Sequence, residues 1–531
     1  MNNRTRGLTL LHLVMLIVVA FCLYGGYLNS PYVYDDFNFF DVRHPEYLQQ
    51  GFRFVTRWLP YASFEWTRNW AGENMFWLRI GNLLLHAVNG CLLYYFLQSL
   101  FAANSKYEVK SADPTEFPLV WLAFFGALWF VIAPAAVHGV AYLLQRTILM
   151  ATLFSLVTLI LFLHGLEKNR QKWMWASAFT YLLATLSKEH AIMVPAVVLA
   201  LIFLLRNPSK KLVIQLTPIF LLYGLIAVYI VSQVSSGNVI GKAYEPQAEQ
   251  MLEGVDPHFF YPLSVMTQGH LFFQYLLLWL VPDPSLMAID VRADFARQFL
   301  KFPELVGFVA FIAYGLCGII VLLQRGRTGL LGFAMLCPWL LFATEVATVR
   351  IQEIFVIYRS YLWMPWLAAG LPFFFQKIPT RYWALPVVGL SLLLPLSLQR
   401  LNSFADPVIL WTEALQRAQR SERPTGISRI YHNRGAVLLD VQRYPEAIQD
   451  FDNAIRLMPT KSDLYSNRAF AYLKTQQYAQ ALRDYDTTIR MSPSFPLAYV
   501  GRAKVYEALG DTFRARSDYA RACMLKLQAA C

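Results

Sequence analysis

Over its first 400 residues the chain alternates long apolar runs with short polar joints, and the pattern changes after them. A hydrocarbon core needs roughly 20 mostly apolar residues per helix. Runs that reach or approach this length fall at 8–28, 75–101, 118–133, 147–164, 173–187, 190–205, 212–232, 303–323, 329–343, 359–375 and 382–398. A further run, 266–281, is short and holds Gln268, His270 and Gln274. Basic residues decide how to count it. If it is re-entrant or interfacial, eleven spans remain. Arg4/Arg6, Lys106/Lys110, Lys168/Arg170/Lys172, Arg206/Lys210/Lys211, Arg325/Arg327 and Lys377/Arg381 then share one side, as the positive-inside rule requires. Counted as a crossing, it would send the last two clusters to the other side. The eleven-span reading places the N-terminus in the cytoplasm and the C-terminal region outside.

Beyond residue 400 the period changes to 34 residues. Tyr431, Tyr465 and Tyr499 recur at that spacing, as do Ala447, Ala481 and Ala515, and Asp450, Asp484 and Asp518. Phe451, Tyr485 and Tyr519 follow each Asp, and Pro459 and Pro493 end the first two units. Small residues at fixed places let paired helices approach, and aromatic residues fill the space between them. A single unit cannot bury its own apolar face, so three units and a capping helix near Asp406–Arg420 are expected to stack. The predicted fold is therefore all-α: a polytopic membrane helical bundle over 1–400, followed by an α-solenoid over 401–531.

Composition agrees. Of the 531 residues 56% are hydrophobic and only 15% charged, against about a quarter charged in soluble proteins. Disorder is excluded by the mass of large apolar residues, and a disulfide scaffold by only six cysteines. Cys523 and Cys531 are the pair placed to oxidise outside a membrane. The net charge of +12 follows largely from topology, so it requires no nucleic-acid partner.

Candidate chemistry collects in the outer joints. Asp35 and Asp36 directly follow the first span. An acidic pair there can act as general base, orient a hydroxyl or hold a divalent cation, though two carboxylates alone do not complete a hard-cation site. Arg79, Asn82, His86 and Asn89 lie at offsets of 3, 7 and 10, on one helical face. That face is either an interhelical hydrogen-bond seam or a substrate contact. His138, Gln145 and Arg146 join the third and fourth spans, and Lys188 and Glu189 join the fifth and sixth. Arg146, Lys188 and Arg359 break the positive-inside tendency, which makes them candidates for binding a phosphate. Glu353 is a ready ion-pair partner for Arg359. His270 and Tyr361 are further candidates for substrate contact or support.

Taken in order, PYVYDD at 31–36, RIGNLLLHAVNG at 79–90, PAAVHGVAYLLQRTILMATLF at 134–154, LSKEHAIMVP at 186–195, SVMTQGHLFFQYLLLWLVPDP at 264–284 and YRSYLWMP at 358–365 resemble the GT-C superfamily of membrane glycosyltransferases. The following repeats make the chain similar to bacterial relatives of the transmembrane and tetratricopeptide-repeat O-mannosyltransferases. The resemblance implies a polyprenyl-phosphate-linked sugar as donor and transfer to a protein hydroxyl at the extracytoplasmic face of a bacterial inner membrane. It implies a catalytic Asp36, assisted by Asp35, with donor phosphate at Arg146, Lys188 and Arg359. The family commonly has Glu before the later arginine, whereas this chain has Tyr358. The acceptor protein is expected to meet the repeats. Two other readings stand beside this one: transfer to a lipid-linked glycan or envelope polymer, and a non-catalytic scaffold recruiting envelope proteins.

Overall fold

A computed structural model describes residues 3–36, 54–107, 116–235, 252, 254–351, 353–420, 426–525, 527 and 531. Lys110, counted above in a basic cluster, lies outside them. The described residues are almost entirely helical, with one isolated antiparallel bridge between Glu116 and Pro379. Two compact units form, one of residues 1–289 with 294–405 and one of 290–293 with 406–531. The chain passes from one to the other after Ala405. There Asp406 starts helix Pro407–Ala418 by accepting hydrogen bonds from the amides of Val408 and Ile409.

In the first unit seven helices among the described residues are long and apolar enough to cross a membrane. They are Arg6–Tyr27, Met75–Asn104, Leu143–Lys168, Lys210–Val234, Glu304–Leu323, Gly326–Val346 and Thr380–Ala405. Leu119–Ile132 with Pro134–Val140 makes an eighth if the pair, bent by 60°, counts as one. The bend sits at Pro134, which lacks an amide proton and holds Ala133 in an extended conformation (φ −65°, ψ 130°). The other expected spans differ from long helices. Run 173–187 forms the 17-residue helix Gln171–Ser187, and 190–205 forms a 3₁₀ turn leading into the 12-residue helix Val194–Leu205. Run 359–375 is not one α-helix. Pro365 and Pro372 divide it into 3₁₀ segments Ile357–Tyr361 and Met364–Gly370 and a short helix, Leu371–Phe375.

Run 266–281 belongs to a continuous helix, Phe260–Leu280, whose 21 residues extend about 31 Å at 1.5 Å per residue. It packs on Glu304–Leu323 in the same direction: Gly269 meets Phe308, and Phe272 meets Phe311 and then Tyr314. Consecutive crossing helices joined by a short turn would run antiparallel. Here the connection 281–303 brings the chain back alongside the middle of that helix, where Gly307 meets His270.

In the second unit three hairpins follow the leading helix. They pair Ile427–Asp440 with Tyr444–Leu457, Ser462–Lys474 with Tyr478–Met491, and Pro496–Ala508 with Thr512–Met524. Each hairpin turns through a left-handed residue at one register: Gln442 (φ 61°), Gln476 (φ 61°) and Gly510 (φ 80°). Ala447, Phe451, Ala454, Leu438 and Leu464 form one apolar cluster, and Ala469, Ala481, Tyr485, Ala498 and Val505 the next. Arg434 makes a bidentate pair with Asp450, Arg468 with Asp484 and Arg502 with Asp518, at 2.7–2.8 Å. The sequence reading marked the aspartates as periodic. The arginines carry the same period and show what those aspartates do. Cys523 and Cys531 form a disulfide. The unit is a tetratricopeptide-type array.

Candidate functional site

The segment that leaves the first span is held by Arg79. Its guanidinium donates to the carbonyls of Ser30 (2.8 Å), Pro31 and Ala141 (2.6 Å), tying this loop to the bend after Pro134–Val140. The loop then turns through Tyr34 at φ 54°, a left-handed conformation costly for an aromatic residue and often retained at functional sites. That turn sends the two following carboxylates to different places.

Asp36 goes inward and is fully buried. Its Oδ1 accepts from the Leu144 amide (2.9 Å) and its Oδ2 from the Val33 amide (3.1 Å). Burial pushes its carboxyl up to about 7, against the pull of Arg79 and the two amides, and Asp35 adds a smaller push in the same direction. Asp35 stays half-buried. The Tyr142 hydroxyl donates to its Oδ2 (3.1 Å) and accepts from its amide (3.3 Å). Asp36 is thus fixed by two amides, while Asp35 is half-buried and fixed through Tyr142.

Around Asp35 the wall is aromatic. Tyr142 lies with ring centroids 6.0 Å from Tyr34 and 5.7 Å from Tyr358. The Lys188 ammonium sits 4.8 Å from the Tyr358 centroid. It donates to Gln145 Oε1 (2.9 Å) and Thr147 Oγ1 (3.4 Å), both neutral. Burial pushes this ammonium down to about 7, and Arg57 and Arg359 push the same way, while Glu189 and Glu345 oppose. Among the described residues Lys188, like Arg79, is hydrogen-bonded to neutral groups.

Its neighbours are already paired. Glu189 is bound by Arg57, which precedes the helix Trp58–Ala71. Arg359 donates to Glu345 (2.8 Å) and Glu353 (2.9 Å), and Glu345 also meets His190 (3.1 Å) and Arg350 (3.1 Å). Glu353, read from sequence as a partner for Arg359, occupies that place beside Glu345. Arg57 was missed by the sequence reading, and no local pattern marks it, because its partner is 132 positions away.

Other expected site residues are structural. Arg146 is buried, and its guanidinium donates to Asn82 Oδ1 (2.9 Å), Ser63 Oγ (3.0 Å) and the Leu78 carbonyl (2.5 Å). It lies 3.8 Å from the Phe64 ring centroid. Its donors, which the sequence reading assigned to a phosphate, here join its own helix to Trp58–Ala71 and Met75–Asn104. His86 lies in a seam, with Nδ1 accepting from Tyr361 (2.7 Å) and Nε2 donating to the Val131 carbonyl (3.0 Å). Asn82 and Asn89 bond the carbonyls of Leu143 and Leu149, so the polar stripe with Tyr361 joins helices. His138 packs edge-on against Phe404. His270 packs against Gly307 and meets Gln274, outside the hydrogen-bonded cluster. Among the described residues no group of three or more His, Cys, Asp or Glu is placed to hold a metal ion.

No family model matches this chain, and no curated protein matches it. It is similar to the solved structure of the first TPR of Spaghetti (RPAP3) bound to an HSP90 peptide, with 26% identity over 19% of this chain and 80% of that one, TM-score 0.19. The second TPR of Spaghetti, with the same peptide, is 27% identical over 21% of this chain and 98% of that one, TM-score 0.18. The crystal structure of MamA is 21% identical over 24% of this chain and 71% of that one, TM-score 0.21. By its own geometry the chain is an all-α protein with several candidate membrane-spanning helices and a tetratricopeptide-type array.

Proposed function

We propose that the protein transfers a sugar from a polyprenyl-phosphate-linked donor to a hydroxyl of a protein acceptor. In this reading it works at the extracytoplasmic face of a bacterial inner membrane, with its N-terminus in the cytoplasm, eleven crossings and its repeats outside. The observation that carries the proposal is the pairing of a half-buried carboxylate, Asp35, with a buried ammonium, Lys188, held by Gln145 and Thr147, across the aromatic wall of Tyr142 and Tyr358.

The chemistry follows from these two charges. Asp35 takes the proton of the acceptor hydroxyl as its oxygen bonds to the anomeric carbon. The bond from that carbon to the phosphate oxygen breaks, and its electron pair stays on the phosphate. Lys188 stabilises the charge that gathers there, and its low-dielectric setting strengthens the effect. One displacement inverts the anomeric centre and uses no second carboxylate as nucleophile. Asp36, Arg79 and the Leu144 amide hold Asp35's loop. Arg359, neutralised by Glu345 and Glu353, shapes the wall.

The test uses purified full-length protein with polyprenyl-phosphate sugar and envelope-protein extracts, read by mass spectrometry. A sugar-sized mass added to a Ser or Thr by wild type and missing from Asp35→Asn supports the proposal. Normal transfer by that variant overturns it. The scaffold reading is favoured by a separate observation, that the array has its own core and its own ion-pair braces. On that reading Asp35→Asn leaves recruitment of envelope proteins and the cell phenotype unchanged, while removal of 406–531 abolishes both.

A further inference from the structure

Helix Thr380–Ala405 stands apart from the other long apolar helices. Only 17% of its most apolar stretch is buried, against 61% for Leu143–Lys168. The space it leaves is two apolar grooves. One, of about 420 Å³, reaches from Phe117 and Phe375 to Trp129 and Leu393. The other, of about 590 Å³, reaches from Pro118 and Thr380 to Ile132 and Leu394. Both have the size of small-molecule sites, and they share Phe117, Phe125 and Leu390. Their linings are aromatic and aliphatic, so they suit hydrocarbon.

One end of this pair of grooves is basic. Lys377 and Arg381 are exposed there, next in sequence to the lining residues Ile378 and Tyr382. The Arg381 guanidinium lies 4.9 Å from the Tyr382 ring centroid and donates to its hydroxyl (3.2 Å), which brings its charge to the groove mouth. Glu116, a carboxylate at the same end, is neutralised by a bidentate bond from Arg327 (3.1 and 3.2 Å) and a bond from Gln376 (3.3 Å). Among the described residues positive charge therefore remains where the apolar groove opens.

This end is remote from the candidate site. Tyr27 donates to Asn402 Oδ1 (2.6 Å), so the C-terminal end of Thr380–Ala405 lies beside the end of the first span, where Asp35 and Asp36 follow. Lys377 and Arg381 mark the opposite end of a helix about 39 Å long at 1.5 Å per residue.

We propose that this face is a binding site for an anionic phospholipid of the leaflet at the Lys377/Arg381 end. The headgroup phosphate lies on Lys377 and Arg381, and the acyl chains fill the grooves beside Thr380–Ala405. The lipid completes the packing that the helix itself does not provide. This site is separate from the proposed donor site and does not depend on it.

The test is native mass spectrometry of the full chain in mild detergent with phosphatidylglycerol, phosphatidylcholine or polyprenyl phosphate. Wild type should retain phosphatidylglycerol over phosphatidylcholine. A K377Q/R381Q double variant should lose roughly five-fold of that preference per charge, and R381K should keep it. Gly389 lines the first groove and a Cβ built there meets nothing within 4 Å, so Gly389→Phe places a ring where the acyl chain would lie. That variant should lose both phospholipids in parallel at an unchanged melting temperature. Equal retention of the two phospholipids by wild type, or an unchanged preference in K377Q/R381Q, would overturn the proposal. Displacement of bound phosphatidylglycerol by equimolar polyprenyl phosphate would show the groove to be a prenyl site and overturn it as well.

Discussion

The cluster around Asp35 and the repeat array both use buried arginine–carboxylate pairs, and they use them differently. In the array Arg434, Arg468 and Arg502 each meet an aspartate 16 positions on, in the same geometry each time. Arg468 and Arg502 take a second one, Asp452 and Asp486. In the membrane unit the pairs join distant segments without a period, Arg57 to Glu189 and His190 to Glu345. The array repeats its braces at one register, and two of its arginines each meet two aspartates. The membrane cluster leaves Lys188 on neutral groups beside a half-exposed carboxylate. A periodic brace fixes a repeat, whereas a buried ammonium beside a half-buried carboxylate is the kind of arrangement that clusters at functional sites.

Replacing Asp35 by Asn tests this contrast most severely. Transfer should fall by about 10²–10⁴, as expected for loss of a general base, with donor binding retained. If Asp36→Asn alone abolished transfer at unchanged stability, the division between a working and a locking carboxylate would fail. Lys188→Gln should slow transfer by about 10²–10³, through loss of charge stabilisation at the leaving phosphate. An equal loss in Arg146→Gln, without a fall in melting temperature, would return Arg146 to the site.

The array should respond in stability instead. Asp484→Ala leaves Arg468 without its bidentate partner and should cost about 2–3 kcal/mol, read by denaturation followed at the repeats, with transfer chemistry unaffected. A change below 0.5 kcal/mol would show the braces to be incidental.

The smallest expected effect is in pH dependence. Asp36 has a folded carboxyl raised to about 7, so the native state holds its proton longer than the unfolded chain does. Its contribution to stability therefore falls as pH rises from about 4 to about 7. Lys188, lowered to about 7, contributes the opposite: stability that rises from about 7 to about 10. Melting curves of D36N and K188Q against wild type should lose the first and the second slope respectively. Unchanged slopes would place both groups in more solvated settings.

Some of this was legible early. The repeat period, the apolar runs and the segments that make up the cluster could all be marked along the chain. Residues 359–375 were read as a span because apolarity alone does not distinguish an α-helix from proline-divided 3₁₀ turns. Arg146 was grouped with Lys188 because both are cations at one membrane level. Only their neighbours separate them, since one bonds two other helices and the other bonds Gln145 and Thr147.

By itself, then, the amino-acid order determined what depends on local periodicity: helices, a 34-residue array and apolar runs of near-membrane length. Tertiary structure decided which of two adjacent aspartates is held by two amides, what each buried cation bonds and which helix stands off its neighbours. Those outcomes depend on burial and on partners tens to hundreds of positions away. A carboxylate's chemistry is set by the donors that reach it, and Asp36 meets the Leu144 amide only once the chain has folded.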